Sequence, residues 1–446
     1  HQGCSIGHML CRSIQKYASR IAVVMGDESI TYKELGKSAA RMVAVFKDYG
    51  LGRGDGLAIM ARNRIEVVVA YYAAAFLGIR VTPLSVMMSA DDVLFILKDS
   101  QVKAVIVDDA CDENRRQILS DEAEELEIVF SLCQSGNSID LTQKMASASC
   151  IRLTPESSAE DIAFVAYTGG TTGRPKGVVH SNATLTASIS LMMTEWEWPA
   201  HIEMAVPTPV SHAGGVMIYP VHLQGGTIHL LSGFETAGFL DYVEQKRITA
   251  TFLVPTLIYL LIEEQKSKPR DMGSLSLVLY GAAPMLLPKL IEALETFGPV
   301  FAQLYGQSEA PLCISYLGKH QHKYLDDAQL ASCGVPVSNI QVALVDDNNS
   351  SVDEGQPGEI CIRGPHVMMG YWNRTSETES AFSDGWLHTG DIGRFDDDGL
   401  LYIVDRKKDM IISGGFNVFP SEVEKVLQEH PSVSASSVVG VSDERW

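Results

Sequence analysis

The sequence has no apolar run long enough to cross a lipid bilayer. The longest uninterrupted run covers residues 67–79 and lies between Glu66 and Arg80. A membrane-spanning helix needs about 20 such residues. We therefore predict that this run forms a buried helix and that the chain has no membrane span.

The cysteines show no pattern of a metal site or of a disulfide framework. Eight cysteines are scattered along the chain, and no two of them form a C-x-x-C pair. Zinc ribbons and disulfide-stapled domains need closer spacing. The first ten residues also lack the charged and apolar regions of a secretory signal. These features predict reduced thiols and a cytoplasmic location.

Positive charge is scarce, with 35 Lys and Arg against 55 Asp and Glu and a net charge of −20. This balance argues against a nucleic-acid partner, although a local basic pocket is compatible with it. Only 20% of the residues are charged, and there are 37 Gly and 18 Pro, which argues against a disordered or fibrous class. We expect a globular protein of about three structural units, and we leave open whether it forms a homo-oligomer.

Up to about residue 325, short apolar runs alternate with segments of helical periodicity. Strands are predicted at 249–254, 275–280 and 300–305, with helices at 256–265 and 286–297 between them. This alternation is typical of a largely parallel sheet with helices on its faces. The fold class is therefore predicted to be α/β.

From about Cys333 the pattern changes to short alternating runs between turns rich in Asp, Asn, Gly and Pro, which indicates a β-rich, barrel-like subdomain. A helix is predicted at 421–430, with Ser421 and Glu424 as its capping box. The predicted organisation is a large N-terminal domain of layered α/β sheets (1–405) that includes the β-rich subdomain (about 333–405), followed by the beginning of a small α+β C-terminal domain (406–446).

The strongest local signal is the segment YTGGTTGRPKG at residues 167–177. A predicted strand precedes it, and a helix capped by Ser181 or Asn182 is expected to follow. Glycines let backbone amides approach an anion, threonine hydroxyls can donate to phosphate oxygens, and Lys176 adds a positive charge. The segment departs from the Walker pattern because Pro175 precedes the lysine. A plain turn is the alternative, but the order of these residues favours a phosphate-binding loop.

This segment resembles the phosphate loop of the acyl-adenylate-forming enzymes, which include acyl-CoA synthetases, firefly-type luciferases and nonribosomal-peptide adenylation domains. That family usually has Ser where this chain has Gly169 or Gly170, so the resemblance implies one hydroxyl contact fewer. Five further blocks match the family in the same order and extend the resemblance over nearly the whole chain. They are residues 209–215, 281–284, 305–310, 386–391 and 405–417.

Three loops of the chain also have positions that suit a ligand site on physical grounds. The loops at 254–255, 281–284 and 306–309 each follow the carboxyl end of a predicted strand. Open α/β sheets bind ligands in the crevice at those strand ends. We therefore expect the three loops to converge on one site.

The resemblance implies a role for individual residues of these blocks. Glu309 is implied to hold the magnesium ion bound to the ATP phosphates, which is ordinary hard-cation chemistry. Asp391 is implied to grip both ribose hydroxyls, and Tyr305 to stack on adenine. The implied catalytic residues are Lys176, Glu309 and His212, of which His212 gates the acyl pocket or steers the carboxylate. The implied nucleotide-binding residues are Thr168, Gly169, Gly170, Thr171, Thr172, Gly173, Lys176, Gly281, Ala282, Ala283, Pro284, Tyr305, Gly306, Gln307, Ser308, Asp391 and Arg406.

The resemblance further implies an acyl pocket and a domain hinge, the hinge at Lys408. No Asp, Glu, Lys or Arg occurs in residues 212–217 or 311–314, and Gly214, Gly215 and Gly281 are expected to leave room for bulk. We therefore predict a hydrophobic monocarboxylate, aliphatic or aryl, as the substrate. The implied pocket residues are His212, Gly214, Gly215, Met217, Gly281, Pro311 and Leu312.

Each of these roles has a plain structural alternative. Glu309 would otherwise be a solvent-facing loop residue, and His212 a satisfied structural histidine. Arg406 would be a surface member of a basic cluster, and Lys408 part of a charged linker.

The resemblance implies a two-step reaction. A carboxylate and Mg·ATP form an acyl adenylate and pyrophosphate, and the thiol of coenzyme A then attacks the acyl carbon and AMP leaves. We therefore expect an AMP-forming acyl-CoA synthetase that uses ATP, Mg²⁺, coenzyme A and a small carboxylic acid. A carrier-protein-loading adenylation enzyme and a non-catalytic nucleotide-binding regulatory module are the alternatives. The lysine that the family uses for adenylation is expected beyond Trp446.

Overall fold

The computed structural model describes residues 4–108, 126–133, 138–170, 173–413, 416–428, 430, 433 and 436–441. These residues form two large mixed sheets, a third antiparallel sheet and a small two-stranded ribbon, with helices packed around them. Within this part of the chain, no helix has the length and hydropathy that a membrane crossing requires.

The first sheet has nine strands, and loops at the carboxyl ends of some of them carry several predicted site residues. Its six central strands run from Ile21–Met25 to Phe301–Gln307, and all neighbours among them pair in parallel. The pairings at the two ends of the sheet are antiparallel. The loops at 254–255, 281–284 and 306–309 leave three adjacent strands at their carboxyl ends, as predicted. From edge to edge the strands are Val335–Pro336, Ala310–Leu317, Phe301–Gln307, Leu277–Gly281, Ala250–Leu253, Glu203–Val206, Thr227–Leu230, Ile21–Met25 and Glu28–Thr31.

The second sheet has eight strands and contains the Gly/Thr-rich segment. Its parallel part ends at Ile162–Gly170, which turns back as an antiparallel hairpin with Gly173–Ser181. Gly370–Tyr371, from much later in the chain, closes this edge. From edge to edge the strands are Gly370–Tyr371, Gly173–Ser181, Ile162–Gly170, Arg80–Leu84, Gly56–Met60, Ala104–Val107, Ile128–Ser131 and Ile139–Asp140.

The third sheet confirms the β-rich region expected after Cys333. Its strands are all antiparallel, and the predicted Asp-rich turn between its last two strands is a hairpin turn closed by Asp396 and Leu400. The strand Leu401–Arg406 continues across the domain boundary that we predicted between residues 405 and 406. The division into two domains at that point stays a prediction. The strands are Gln341–Val345, Gly358–Arg363, Trp386–Phe395, Phe382–Ser383 and Leu401–Arg406, and the separate ribbon pairs Ile411–Ser413 with Phe416–Val418.

The helices pack on the faces of the two large sheets. Ile65–Leu77 is buried on every face, as predicted from its apolar run, because it lies among Ile6–Lys16, Tyr32–Asp48 and the second sheet. The described helices are Ile6–Lys16, Tyr32–Asp48, Ile65–Leu77, Ala90–Asp99, Leu141–Ser147, Asn182–Glu195, Ala213–Leu223, Thr236–Lys246, Pro255–Ser267, Leu287–Phe297, Asp327–Leu330, Thr375–Ala381 and Pro420–Gln428, with a 3₁₀ turn at Gln321–Lys323.

The capping box predicted at Ser421 is wrong. The helix begins at Pro420, so Ser421 lies in its first turn rather than before it. Its hydroxyl donates to the carbonyl oxygen of Val404 at 2.5 Å, and its N–H donates to Asp405 at 2.9 Å. The serine therefore joins this helix to the last strand of the third sheet.

Candidate active site

The predicted phosphate loop is the tip of the hairpin in the second sheet. Within this hairpin, Thr168 of Ile162–Gly170 lies opposite Lys176 of Gly173–Ser181. Side chains of directly opposed residues project from the same face of an antiparallel pair. The threonine hydroxyl and the lysine ammonium therefore face the same side of the hairpin.

Glycines end the described part of both strands of this hairpin. Gly169 and Gly170 end the first strand, and Gly170 pairs with Gly173 at the start of the second. Thr171 and Thr172, predicted to contact phosphate, lie outside the described residues.

A strand, not a helix, follows the loop directly. The helix Asn182–Glu195 begins only after Gly173–Ser181 has completed the hairpin. Ser181 caps this helix, as predicted, by accepting a hydrogen bond from the N–H of Thr184 at 3.2 Å. The helix that Ser181 caps therefore begins at the opposite end of the hairpin from Gly170 and Gly173.

Tyr371, which the sequence analysis did not single out, connects the hairpin to Glu309. Its hydroxyl donates to Oε1 of Glu309 at 2.8 Å, and Nζ of Lys176 lies 5.2 Å from the centre of its ring. Burial raises the pKa of Tyr371, and the charge of Glu309 raises it further, so the phenol keeps its proton. The cation and the carboxylate predicted for the ATP phosphates thus contact the same tyrosine.

The turn that carries Glu309 is held by His180 of the second sheet and by Met368, which precedes the strand Gly370–Tyr371. The Nε2 of His180 donates to the carbonyl oxygen of Ser308 at 2.8 Å, and the N–H of Met368 donates to that of Glu309 at 2.8 Å. Burial lowers the pKa of His180 to about 4, so its ring is neutral near pH 7. The neighbouring residues Gly306 and Gln307 are half-buried in the same turn.

Glu309 suits a magnesium ion that is held mainly by phosphate oxygens. Magnesium in nucleotide sites takes one or two carboxylates, with phosphate oxygens and waters as its other ligands. Within the described part of the chain, no group of three or more His, Cys, Asp or Glu side chains would form an all-protein metal site. A single half-buried carboxylate close to Lys176 therefore fits an ion that arrives with ATP.

Asp391 lies where the third sheet meets the first. Its Oδ2 accepts a hydrogen bond from the hydroxyl of Tyr305 at 2.7 Å, and its Oδ1 lies 3.6 Å from Nε of Arg406, its cross-strand neighbour. The Asp391 side chain is 13% exposed and that of Arg406 is 64% exposed. Burial raises the pKa of Asp391, while the Tyr305 hydrogen bond and the Arg406 charge oppose that rise.

The loop at 281–284 lies beside Tyr305. Gly281 ends its strand opposite Leu304, and Ala282, Ala283 and Pro284 follow it as exposed residues. Ala282 has φ = 66°, a left-handed conformation that strains a residue with a side chain. The exposed loop thus follows the strand next to that of Tyr305, whose ring is buried.

The predicted pocket residues occupy different environments. His212 precedes the helix Ala213–Leu223 and is exposed, whereas Met217 in that helix is buried in the hydrophobic core. Pro311 and Leu312 are half-buried, and Leu312 has φ = 59°. Another strained residue therefore lies just after the Glu309 turn.

The expectation that the pocket glycines leave room for substrate is wrong for two of them. A Cβ on Gly215 would lie 2.1 Å from the carbonyl oxygen of Val210, and one on Gly281 would lie 2.4 Å from that of Leu304. Gly214 is also close, at 3.0 Å from the carbonyl oxygen of Thr208. These glycines permit close approach of backbone segments, and the space beside them is already filled.

Lys408 lies in the exposed turn that follows Leu401–Arg406. The preceding residue, Lys407, pairs with Glu359 at 3.1 Å and with Asp347 at 3.0 Å. The predicted hinge is thus directly preceded by a residue that is tied to the third sheet.

Asp99 is a second residue that the sequence analysis missed. Its Oδ2 accepts from the hydroxyl of Tyr167 at 2.6 Å, and its Oδ1 accepts from Nη2 of Arg374 at 2.6 Å. Its carbonyl oxygen accepts from Nε1 of Trp372 at 2.9 Å. The adjacent aromatic residues after Gly370 were the sequence signal for this contact, but their partner is more than 270 residues away.

A separate cavity of about 690 Å³ lies away from these residues. It is lined by Ile21, Glu203 and Thr227, which begin three parallel strands of the first sheet. The cavity therefore lies at the amino ends of the strands, whereas the loops described above lie at the carboxyl ends. No predicted site residue lines it.

Residues of all three sheets thus lie in one region: Lys176 and Tyr371 from the second, Tyr305 and the Glu309 turn from the first, and Asp391 from the third. Layered α/β sheets with a glycine-rich hairpin and an aspartate where the first and third sheets meet indicate an adenylate-forming enzyme.

Comparison with known proteins agrees with this class. The family described as AMP-binding enzyme matches residues 10–372. The chain is 38% identical to the medium/long-chain-fatty-acid–CoA ligase FadD8 of Mycobacterium tuberculosis, over 99% of this chain and 78% of that protein. The chain therefore belongs to the AMP-binding enzyme family and is an AMP-forming acid–thiol ligase.

Solved structures resemble the whole described fold. The amide bond synthetase McbA of Marinactinospora thermotolerans superimposes with a TM-score of 0.90 at 29% identity, covering 98% of this chain and 87% of that one. The o-succinylbenzoate coenzyme A synthetase of Bacillus subtilis, in complex with ATP and magnesium, gives a TM-score of 0.85 at 29% identity, covering 98% of this chain and 87% of that one.

Proposed function

We propose that this enzyme is an ATP-dependent acyl-CoA synthetase that activates a hydrophobic monocarboxylic acid, fatty or aryl. The acid is converted to an acyl adenylate and then transferred to coenzyme A, with release of pyrophosphate and AMP. The observation that carries the proposal is the convergence of Lys176, Glu309 and Asp391 on one region, linked by Tyr371 and Tyr305. We take this region to be the crevice that binds the nucleotide.

The phosphate side of the crevice is formed by Thr168, Lys176 and Glu309. The ammonium of Lys176 faces the developing negative charge on the phosphates, and Glu309 provides the oxygen ligand for the ion. When bound, magnesium neutralises phosphate charge and makes the α-phosphorus more electrophilic. Most of the rate enhancement comes from such positioning and charge stabilisation, because an ionised carboxylate attacks phosphorus without prior deprotonation.

The nucleoside side is formed by Asp391, Tyr305 and the loop at 281–284. The two oxygens of an ionised carboxylate suit the vicinal hydroxyls of ribose, and burial excludes competing water from Asp391. The ring of Tyr305 and the exposed loop beside it provide the adenine contacts. Arg406 provides a second contact to ribose or phosphate.

The proposed acid is hydrophobic because residues 212–217 and 311–314 contain no Asp, Glu, Lys or Arg. A basic residue would be needed to pair with a second carboxylate, and an acidic one to pair with an amino group. The similarity to a medium/long-chain-fatty-acid–CoA ligase supports the same class. His212, exposed at the start of its helix, steers the substrate carboxylate.

Transfer to coenzyme A requires a second arrangement of the residues after the hinge, which we place at Lys408. An exposed turn is compatible with such a rotation, since solvent surrounds it in either orientation. We also propose a cytoplasmic location, supported by the free thiols of the described cysteines.

The test is pyrophosphate release across a panel of carboxylic acids, with and without coenzyme A. Release that depends on an apolar acid and yields its thioester is the expected result. Release without a thioester would replace coenzyme A by a carrier protein or an amine as the acceptor. ATP binding without release for any acid would favour the regulatory module.

A further inference from the structure

We propose that Tyr371 is a positioning residue that orients the carboxylate of Glu309 toward the magnesium ion carried by ATP. The inference rests on the proposed function, which gives Glu309 its ion. It is carried by the 2.8 Å hydrogen bond from the Tyr371 hydroxyl to Oε1 of Glu309. A carboxylate held at one oxygen presents its other oxygen in a defined direction, and such outer partners tune metal affinity.

The backbone around Tyr371 is held to the strand that carries Lys176. The N–H of Trp372 donates to the carbonyl oxygen of Gly177 at 2.7 Å, and the N–H of Met369 donates to that of Val179 at 2.9 Å. These hydrogen bonds fix the position of Tyr371 along the strand Gly173–Ser181. Its ring lies beneath Lys176 while its hydroxyl reaches Glu309.

Side chains on the C-terminal side of Tyr371 add a second anchor. Trp372 donates to the carbonyl oxygen of Asp99, and Arg374 donates to its carboxylate. Tyr167, the first residue of the phosphate segment, donates to the other oxygen of that carboxylate. Since Tyr371 lies between these anchors and the Glu309 turn, its hydroxyl is held in place before any ligand binds. Preorganisation of this kind is what a positioning residue requires.

A purely structural role for Tyr371 would depend on its ring, which packs against the core of the third sheet. Tyr371→Phe keeps that ring and its contact with Lys176 and removes only the hydroxyl. The variant therefore separates positioning of Glu309 from packing.

The experiment measures binding of Mg·ATP and, in EDTA, of metal-free ATP by titration calorimetry. We expect Tyr371→Phe to weaken Mg·ATP binding by about 10–100-fold, the usual effect of losing an outer metal partner. Metal-free ATP should bind as it does to the unmodified enzyme. The matched control is Tyr402→Phe, which removes a tyrosine–carboxylate hydrogen bond of the same 2.8 Å length, to Asp396 in the hairpin turn of the third sheet.

A double variant shows whether Tyr371 acts through Glu309. In a Glu309→Ala background, adding Tyr371→Phe should change Mg·ATP affinity no further, because the coupled partner is already gone. Equal loss of Mg·ATP and metal-free ATP binding in Tyr371→Phe, or Mg·ATP binding as tight as that of the unmodified enzyme, would overturn the inference. Because these readouts need no turnover, they stand even if no acid supports pyrophosphate release, which would refute only the proposed function.

Discussion

The hydroxyl of Tyr305 donates a hydrogen bond to Oδ2 of Asp391 at 2.7 Å, joining residues that are 86 positions apart in the sequence. On the other side of the carboxylate, Arg406 lies 3.6 Å away and is largely exposed. Burial raises the pKa of Asp391, and both neighbours lower it. The protonation of the proposed ribose ligand is therefore set by the contact between the first and third sheets.

This relationship predicts a pH dependence of ATP binding. Asp391 accepts ribose hydroxyls only when ionised, so ATP affinity should fall as the pH decreases through its raised pKa. Tyr305→Phe keeps the aromatic ring but removes a hydrogen bond that lowers this pKa, so the loss should occur at a higher pH. ATP dissociation constants measured from pH 4 to pH 8 in both proteins check this. A shift toward lower pH in the variant would contradict the proposed balance.

Asp391→Asn should raise the KM for ATP by about 10–100-fold, since a hydrogen bond to a charged group contributes about 1.5–3 kcal/mol. The substitution keeps the size of the side chain, so the Tyr305 contact can persist. Steady-state kinetics at varied ATP concentration measure the change. Asp397→Asn, in the exposed turn that follows the strand of Asp391, is the control and should retain the original KM. Normal ATP saturation in Asp391→Asn would remove the residue from the ribose site.

Lys176→Ala should lower kcat/KM for pyrophosphate release by about 10²–10³-fold, the typical cost of losing one charge-stabilising contact. The control is Arg174→Ala in the same hairpin. Its guanidinium lies over the ring of Phe95 at 4.8 Å, whereas Lys176 lies over Tyr371. The control should retain most of the activity. Equal losses in the two variants would show that the hairpin needs only general positive charge.

Gly215→Ala should destabilise the fold, although alanine normally favours a helix over glycine. The new Cβ would meet the carbonyl oxygen of Val210 at 2.1 Å, and such overpacking costs about 1–3 kcal/mol. Denaturant unfolding measures the change. Gly233→Ala is the control, because no atom lies within 4 Å of its added Cβ. An unchanged free energy of unfolding in Gly215→Ala would mean that the helix can shift without cost.

Much of the fold could be predicted from the sequence, because the spacing of apolar residues within a segment indicates which of its faces is buried. The strands around residues 250, 277 and 301, the buried helix Ile65–Leu77 and the change to short antiparallel strands after Cys333 were all found. Local rules failed where a neighbouring segment decided the outcome. Ser421 looked like a helix cap, but it lies inside the helix, and its hydroxyl donates a hydrogen bond to Val404 of the strand Leu401–Arg406.

The sequence by itself determined the blocks from which the site is built, since Lys176, Glu309 and Asp391 each lie in a recognisable local segment. Only the tertiary structure decided how these residues are held. The hydrogen bonds that hold them join different sheets or distant segments of the chain. They are those from Tyr371 to Glu309, from Tyr305 to Asp391, and from Trp372 and Arg374 to Asp99. The tertiary structure also decided that no space is left beside Gly215. The carbonyl oxygen of Val210 fills it because the helix Ala213–Leu223 packs closely against the preceding loop. Such contacts depend on three-dimensional packing, which residue types and spacing along the chain do not specify.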